Sequence, residues 1–318
     1  RGGRRGLGSP KGSSPHHITA ARAPRISPRR RGFLLDFWGF GGADTRTKGH
    51  GVAMQYVFAA VLGLVEGVTE FLPVSSTGHM ILVEDLLRLE GKPGFADAFM
   101  VMIQLPAILA VVLYFWRRLW PFGAGTDTRA VFGLWARVLT AFLPAAVLGF
   151  LLDDFIEARL FNPPTVAAAL VAGGLALLVI ERRSIPVRHV DPALVGFRTA
   201  LLIGFFQCLA MIPGTSRSAA TIIGAMLLGV GRPAAAEFSF FLALPTMTGA
   251  AGLKLLENGL AFSAREWGLL LTGAVVSFVS AYAVVAAFMA YIRRRNFVPF
   301  AWYRIALGGA VLGWMFLG

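Results

Sequence analysis

The chain has 318 residues, of which 56% are hydrophobic and 15% charged, and its mean hydropathy is +0.66. Apolar runs of about 20 residues recur along it, which excludes a soluble globular domain and predicts a polytopic helical membrane protein. The net charge of +13 does not mark a nucleic-acid binder, because residues 1–53 hold 11 of the 30 Lys and Arg against two Asp, and the single cysteine, Cys208, excludes an internal disulfide or a thiolate metal site.

Residues 1–53 are rich in Arg, Gly, Pro and Ser, contain no apolar span, and precede Met54, the first methionine. The run Phe33-Leu34-Leu35 is too short for the apolar stretch of a secretory signal and is interrupted by Asp36. This segment is expected to be a disordered or non-native N-terminal extension of a membrane domain covering 54–318. Within that domain, segments near 97–116, 131–152, 164–181, 234–256, 267–292 and 298–317 are long enough to span. Regions 55–87 and 196–229 are apolar but broken at Pro73 and at Pro213-Gly214. Each half is expected to be too short for a hydrocarbon core of about 30 Å. Pro removes a backbone donor and Gly permits unusual dihedrals, so both regions are predicted to be re-entrant hairpins.

The halves echo each other. Gly63-Leu64-Val65-Glu66 corresponds to Gly204-Phe205-Phe206-Gln207, Pro73-Val74-Ser75-Ser76 to Pro213-Gly214-Thr215-Ser216, and Gln104-Leu105-Pro106-Ala107 to Ala243-Leu244-Pro245-Thr246; the stretch from Asn162 matches that from Asn296. The expected fold is all-α, with six transmembrane helices plus two re-entrant helical hairpins in an inverted repeat, about 54–182 and about 196–318. Loops reached at the end of the first full span carry Arg117, Arg118, Arg129, Arg137, Arg182, Arg183, Arg188, Arg198, Arg232 and Arg293 to Arg295, against Arg88, Lys92, Arg159, Lys254 and Arg265 on the other side. The richer side is expected to be cytoplasmic.

The chemistry concentrates at the two breaks. Glu66 and Glu70, at i and i+4, share a helical face about 5–6 Å apart at Cβ. Without a basic neighbour they repel, unless a hard divalent cation of the kind that bridges to phosphate lies between them. Ser75, Ser76, Thr77, Gly78 and His79 follow the first break; the hydroxyls suit helix capping, while a His near a Ser is a minimal nucleophile–base arrangement. Gly214, Ser216, Arg217, Ser218 and Thr221 follow the second. A guanidinium fork with hydroxyls and backbone N–H groups at a half-helix N-terminus makes a phosphate receptor.

The motifs Glu66-x-x-x-Glu70-Phe71-Leu72-Pro73-Val74-Ser75-Ser76-Thr77-Gly78-His79 and Pro213-Gly214-x-Ser216-Arg217-Ser218 closely resemble those of the bacterial undecaprenyl-diphosphate phosphatase family of the bacitracin-resistance type. The resemblance covers essentially all of 54–318. It departs at Ala219, where Gly is common, and in residues 1–53, which have no counterpart. It implies a hydrolase of the bacterial inner membrane that recycles undecaprenyl phosphate for cell-wall synthesis, with the site open to the outer side and a Mg²⁺ or Ca²⁺ requirement. It places the family's acidic pair on Glu66 and Glu70, its His on His79, its phosphate-binding Arg on Arg217, the serines suspected as nucleophile or phosphate ligand on Ser76 and Ser216, and its Thr on Thr221. In the mechanism expected from these residues, His79 activates Ser76 or a water, Arg217, Ser216 and Thr221 hold the phosphoryl oxygens with help from Ser75, Gly214 and Ser218, and a cation sits on Glu66 and Glu70. The expected partners are a polyprenyl diphosphate and membrane lipids, no nucleic acid, and a second copy in a homodimer. The competing reading is a flippase or transporter of polyprenyl phosphate lipids, which needs no nucleophile. Deleting residues 1–53, which carry no apolar face and no site residue, is expected to leave membrane insertion and activity unchanged; fractionation and an activity assay of the truncated chain check it.

Overall fold

The computed structural model describes residues 51–123, 125–258 and 262–317, together with Gly2; the expectation for the N-terminal extension therefore lies outside the described residues apart from Gly2 and 51–53. Among the described residues there is no β-strand, only an isolated parallel bridge between His189 and Val230. The chain runs through α1 (Val52–Thr69), α2 (Ser76–Leu86), α3 (Phe95–Met102), α4 (Gln104–Tyr114), α5 (Trp116–Leu119), α6 (Thr128–Leu160), α7 (Pro163–Arg182), α8 (Phe197–Cys208), α9 (Arg217–Leu227), α10 (Arg232–Asn258), α11 (Ala264–Ile292) and α12 (Val298–Leu317).

Five stretches are long and apolar enough to cross a membrane: Val52–Thr69, Phe95–Tyr114, Thr128–Leu152, Pro163–Arg182 and Ala264–Ile292. Helices α10 and α12, with 27 and 20 residues, are of comparable length. The breaks at Glu70–Ser75 and Leu209–Ser216 fall where Pro73 and Pro213-Gly214 place them. One expectation changes: α1 has 18 residues, about 27 Å at 1.5 Å per residue, so the first half-helix is nearly as long as the hydrocarbon is thick. The other three halves, with 11, 12 and 11 residues, are short. The segment near 97–116 is also interrupted at Ile103. Pro106 has no N–H to offer the Met102 carbonyl four residues back, and its ring crowds that turn. At the interruption itself the Ile103 carbonyl accepts a hydrogen bond from Ser277 Oγ of α11 at 2.8 Å.

Helix starts follow their side chains. Asp127 accepts from the Arg129 and Ala130 amides, Asn162 from the Thr165 amide, and Ser263 forms a reciprocal box with Glu266. Packing between the halves is crossed. Helix α1 of the first half lies along α11 of the second, α8 of the second lies along α6 of the first, and the closing helices α7 and α12 pack on each other. Glycines set the closeness of these crossings. A Cβ on Gly63 would overlap the Gly273 carbonyl, and one on Gly204 would overlap the Ala141 carbonyl. Such close backbone approach is how membrane helices associate where lipid supplies no hydrophobic drive. The core lies between α4, α8, α9, α10 and α11, and Phe71 ties the first break into it by an edge contact with Phe240 at 5.4 Å between ring centroids.

Gly204→Ala is expected to lower the unfolding temperature in detergent through overpacking worth about 1–3 kcal/mol. Gly309→Ala, where a Cβ meets open space, is expected to be neutral or slightly stabilising, because Ala is the better helix former.

Candidate active site

Two serines hold the site's geometry. Ser75 and Ser216 have φ of 74° and 69°, the two positive values among described non-glycine residues. Backbone of this kind costs on the order of 1–3 kcal/mol per residue and persists where surroundings impose it. Each serine caps the half-helix that follows: Ser75 Oγ accepts from the Gly78 amide at 3.3 Å, and Ser216 Oγ from the Ala219 amide at 3.2 Å. They lie 141 residues apart, the spacing of Gly63 from Gly204 and of Glu66 from Gln207. The Pro73 and Pro213 echo in the sequence is therefore one residue out of this register.

The breaks meet at Glu70. Its Oε2 accepts from Ser76 Oγ at 2.6 Å, while Oε1 faces the Nε and Nη2 of Arg217 at 3.4 and 3.3 Å. Both side chains of this ion pair are about nine-tenths buried. The absence of a basic neighbour read from the sequence holds only along the helix: the cation comes from the other hairpin. Arg217 Nη1 donates to the Ser239 carbonyl at 2.8 Å, which aims the fork from α10. Thr221 and Ser218 are fully buried and used internally. Thr221 Oγ1 pairs with Ser239 Oγ at 2.6 Å, and Ser218 Oγ donates to the Leu72 carbonyl at 2.8 Å, tying the second hairpin to the first. Of the hydroxyls expected at phosphate, Ser76 and Ser216 are the partly exposed ones.

Glu66 is 1% exposed, and its Oε1 has no hydrogen-bond partner among the described residues. A buried carboxylate oxygen without a donor calls for a proton or a cation. No group of three or more His, Cys, Asp or Glu converges among the described residues. The available donors are thus Glu66, Glu70 and the Ser76 hydroxyl, an all-oxygen set that fits a hard divalent ion completed by substrate phosphate.

His79 does not reach Ser76. Its Nδ1 lies 2.7 Å from the Ser75 carbonyl and its Nε2 2.6 Å from Tyr303 Oη of α12. Arg304, the next residue, is fully buried. Its guanidinium donates to the carbonyls of Pro73 in the first break at 3.3 Å and of Gly214 and Thr215 in the second at 3.1 and 2.9 Å. It also donates to Leu170 and Ala169 of α7 at 3.4 and 3.2 Å. Gly173 makes room for it, and a Cβ on Gly214 would overlap the Val166 backbone.

The structure therefore brings together Glu70, Ser76 and Arg217, with Ser216 alongside Ser218 at 3.0 Å, and sets His79 apart on Tyr303. Tyr303, Arg304 and Ser239 are absent from the sequence reading. Arg304 carried a signal, a lone charge inside an apolar helix, which is costly at membrane depth unless it has partners; Ser239 and Tyr303 carried none.

A family model described as bacitracin resistance protein BacA matches residues 59–310. A Fusobacterium nucleatum undecaprenyl-diphosphatase is 51% identical over 261 residues, covering 79% of this chain and 97% of that relative. Undecaprenyl-diphosphatase 1 of Clostridioides difficile (strain 630) is 47% identical over 262 residues, 81% of this chain and 96% of that relative. An undecaprenyl-diphosphatase of Novosphingobium aromaticivorans is 47% identical over 268 residues, with 81% and 97% covered.

Arg304→Met strands three carbonyl acceptors at the breaks and removes two bonds to α7. It is expected to cut turnover by at least about tenfold, with Arg304→Lys recovering only part because an ammonium has three donors in place of a planar five-donor fork. Turnover and unfolding temperature of both purified variants check this.

Proposed function

The chain belongs to the bacitracin resistance protein BacA family, and on that premise we propose that it hydrolyses undecaprenyl diphosphate to undecaprenyl phosphate and inorganic phosphate, returning the lipid carrier to cell-wall synthesis. The observation that carries this reading is the contact of Ser76 Oγ with Glu70 Oε2 at 2.6 Å, with Arg217 on the opposite oxygen. A flippase needs phosphate-binding groups but no hydroxyl held on a carboxylate.

Ser76 is the nucleophile in this reading, and Glu70, in place of His79, is its base. As Oγ bonds to the terminal phosphorus, its proton passes to Glu70, the bond from phosphorus to the bridging oxygen breaks, and the electron pair leaves with undecaprenyl phosphate. Water then cleaves the phosphoserine, releasing inorganic phosphate and restoring the hydroxyl. Arg217, steadied by the Ser239 carbonyl, faces the charge on the terminal phosphoryl oxygens, and the Ser216 hydroxyl lies beside it. As Glu70 takes the proton its hold on Arg217 weakens, which frees the guanidinium for the phosphate. A Mg²⁺ or Ca²⁺ ion held by Glu66 and Glu70 would supply charge neutralisation for the diphosphate. His79, bonded to neither Ser76 nor the acids, handles proton traffic with the departing phosphate.

The architecture we assign is two inverted halves, each a hairpin followed by three spans. The crossed packing supports it: α1 on α11 repeats as α8 on α6, with Gly63 and Gly204 at equivalent crossings. An inverted pair of broken helices meeting at depth suits a lipid whose tail lies between helices while its diphosphate enters the cleft. The arginine-rich loops support a cytoplasmic placement of the Trp116–Arg118 and Arg293–Arg295 ends, with the site open to the other side.

Purified protein is expected to release inorganic phosphate from a long-chain polyprenyl diphosphate and to lose that activity in EDTA; a pure flippase releases none. Glu66→Gln is expected to raise the cation concentration for half-maximal rate, since one hard anionic ligand is lost from a site with few. An unchanged half-saturation point removes Glu66 from the cation site.

A further inference from the structure

We propose that Tyr303 is a positioning residue for His79, fixing which imidazole nitrogen is basic and serving that nitrogen in both of its protonation states. The inference rests on the hydrolase reading above and adds a residue to it. The Ser75 carbonyl is an acceptor only, so the 2.7 Å contact requires the proton on Nδ1. In a neutral imidazole Nε2 is then bare, and the Tyr303 hydroxyl at 2.6 Å donates to it. The two rings lie nearly parallel, at 2° with centroids 5.6 Å apart, which limits rotation of the imidazole.

A phenol suits this place because its oxygen both donates and accepts. When Nε2 gains a proton it must donate, and the Tyr303 oxygen turns its lone pair towards it without either ring moving. Tyr303 is 47% exposed, whereas Nδ1 is committed to the carbonyl of a strained residue. The chain Ser75 carbonyl, His79, Tyr303 thus leads outward from the first break. It runs separately from the Glu70–Ser76 contact, which needs no imidazole. The adjacent Arg304 holds the same turn of α12 against both breaks, which fixes the distance from Tyr303 to His79.

The test is Tyr303→Phe, which keeps the ring and, at a half-exposed position, spares the fold. Protein labelled with ¹⁵N-histidine, with the His79 signals identified by their loss in His79→Gln, is expected to show a protonated Nδ1 and a hydrogen-bonded Nε2. In Tyr303→Phe the Nε2 resonance is expected to move to that of an unbonded imine nitrogen, and kcat to fall about fivefold, the scale of one neutral hydrogen bond, with KM within about twofold. In a His79→Gln background Tyr303→Phe is expected to cost nothing further. Unchanged ¹⁵N resonances and kcat in Tyr303→Phe, or a loss that simply adds to that of His79→Gln, overturn the assignment. Absence of phosphate release from the unaltered protein would instead count against the hydrolase reading, and the resonance test is independent of it.

Discussion

The site depends on one guanidinium. Arg304 is fully buried and its five hydrogen bonds go to carbonyls, three of them in the two helix breaks and two on α7. A break in a membrane helix releases carbonyls that no water is present to satisfy. Arginine has five donors in a rigid plane and no acceptor, so it answers several released carbonyls at once. The same bonds offset the cost of burying its charge, and they hold Ser75 and Ser216 in conformations that a free chain avoids.

From that clamp follows the division of labour between the halves. The first break supplies the carboxylates and Ser76, the second supplies Arg217, and the Glu70–Arg217 pair joins them. Neither charge is stable alone at this depth, and each hairpin carries the other's counter-ion. The internal register is kept but the chemistry is not duplicated. At the 141-residue spacing Ser75 matches Ser216, while Glu66 matches Gln207 and Ser76 matches Arg217. The first break thus presents carboxylates and a hydroxyl, and the second a guanidinium.

Tertiary structure supplies the hydrogen-bond partners of several hydroxyls. Ser218 and Thr221 lie in a motif that reads as a phosphate cradle, yet both are fully buried and spend their hydrogens on Leu72, Ser239 and their own helix. Ser218 thereby links the two breaks, and Thr221 links its helix to α10. His79 likewise sits three residues after Ser76, but helical geometry sends its ring towards α12.

The sequence by itself determined the helical membrane class and the positions of both breaks, and it singled out Glu66, Glu70, Ser76 and Arg217 as candidates, because apolar run length, Pro and Gly, and charge at depth are local properties that the order of residues displays. Only the tertiary structure decided which of these meet. The partner of Glu70 lies 147 positions away, and the donor that holds Pro73 lies 231 positions away. No periodicity encodes such pairings, because they join segments far apart in the chain that only packing brings together. The same holds for Tyr303 and Ser239, an aromatic and a hydroxyl that are unremarked in an apolar helix until the ring of His79 or the fork of Arg217 is placed against them.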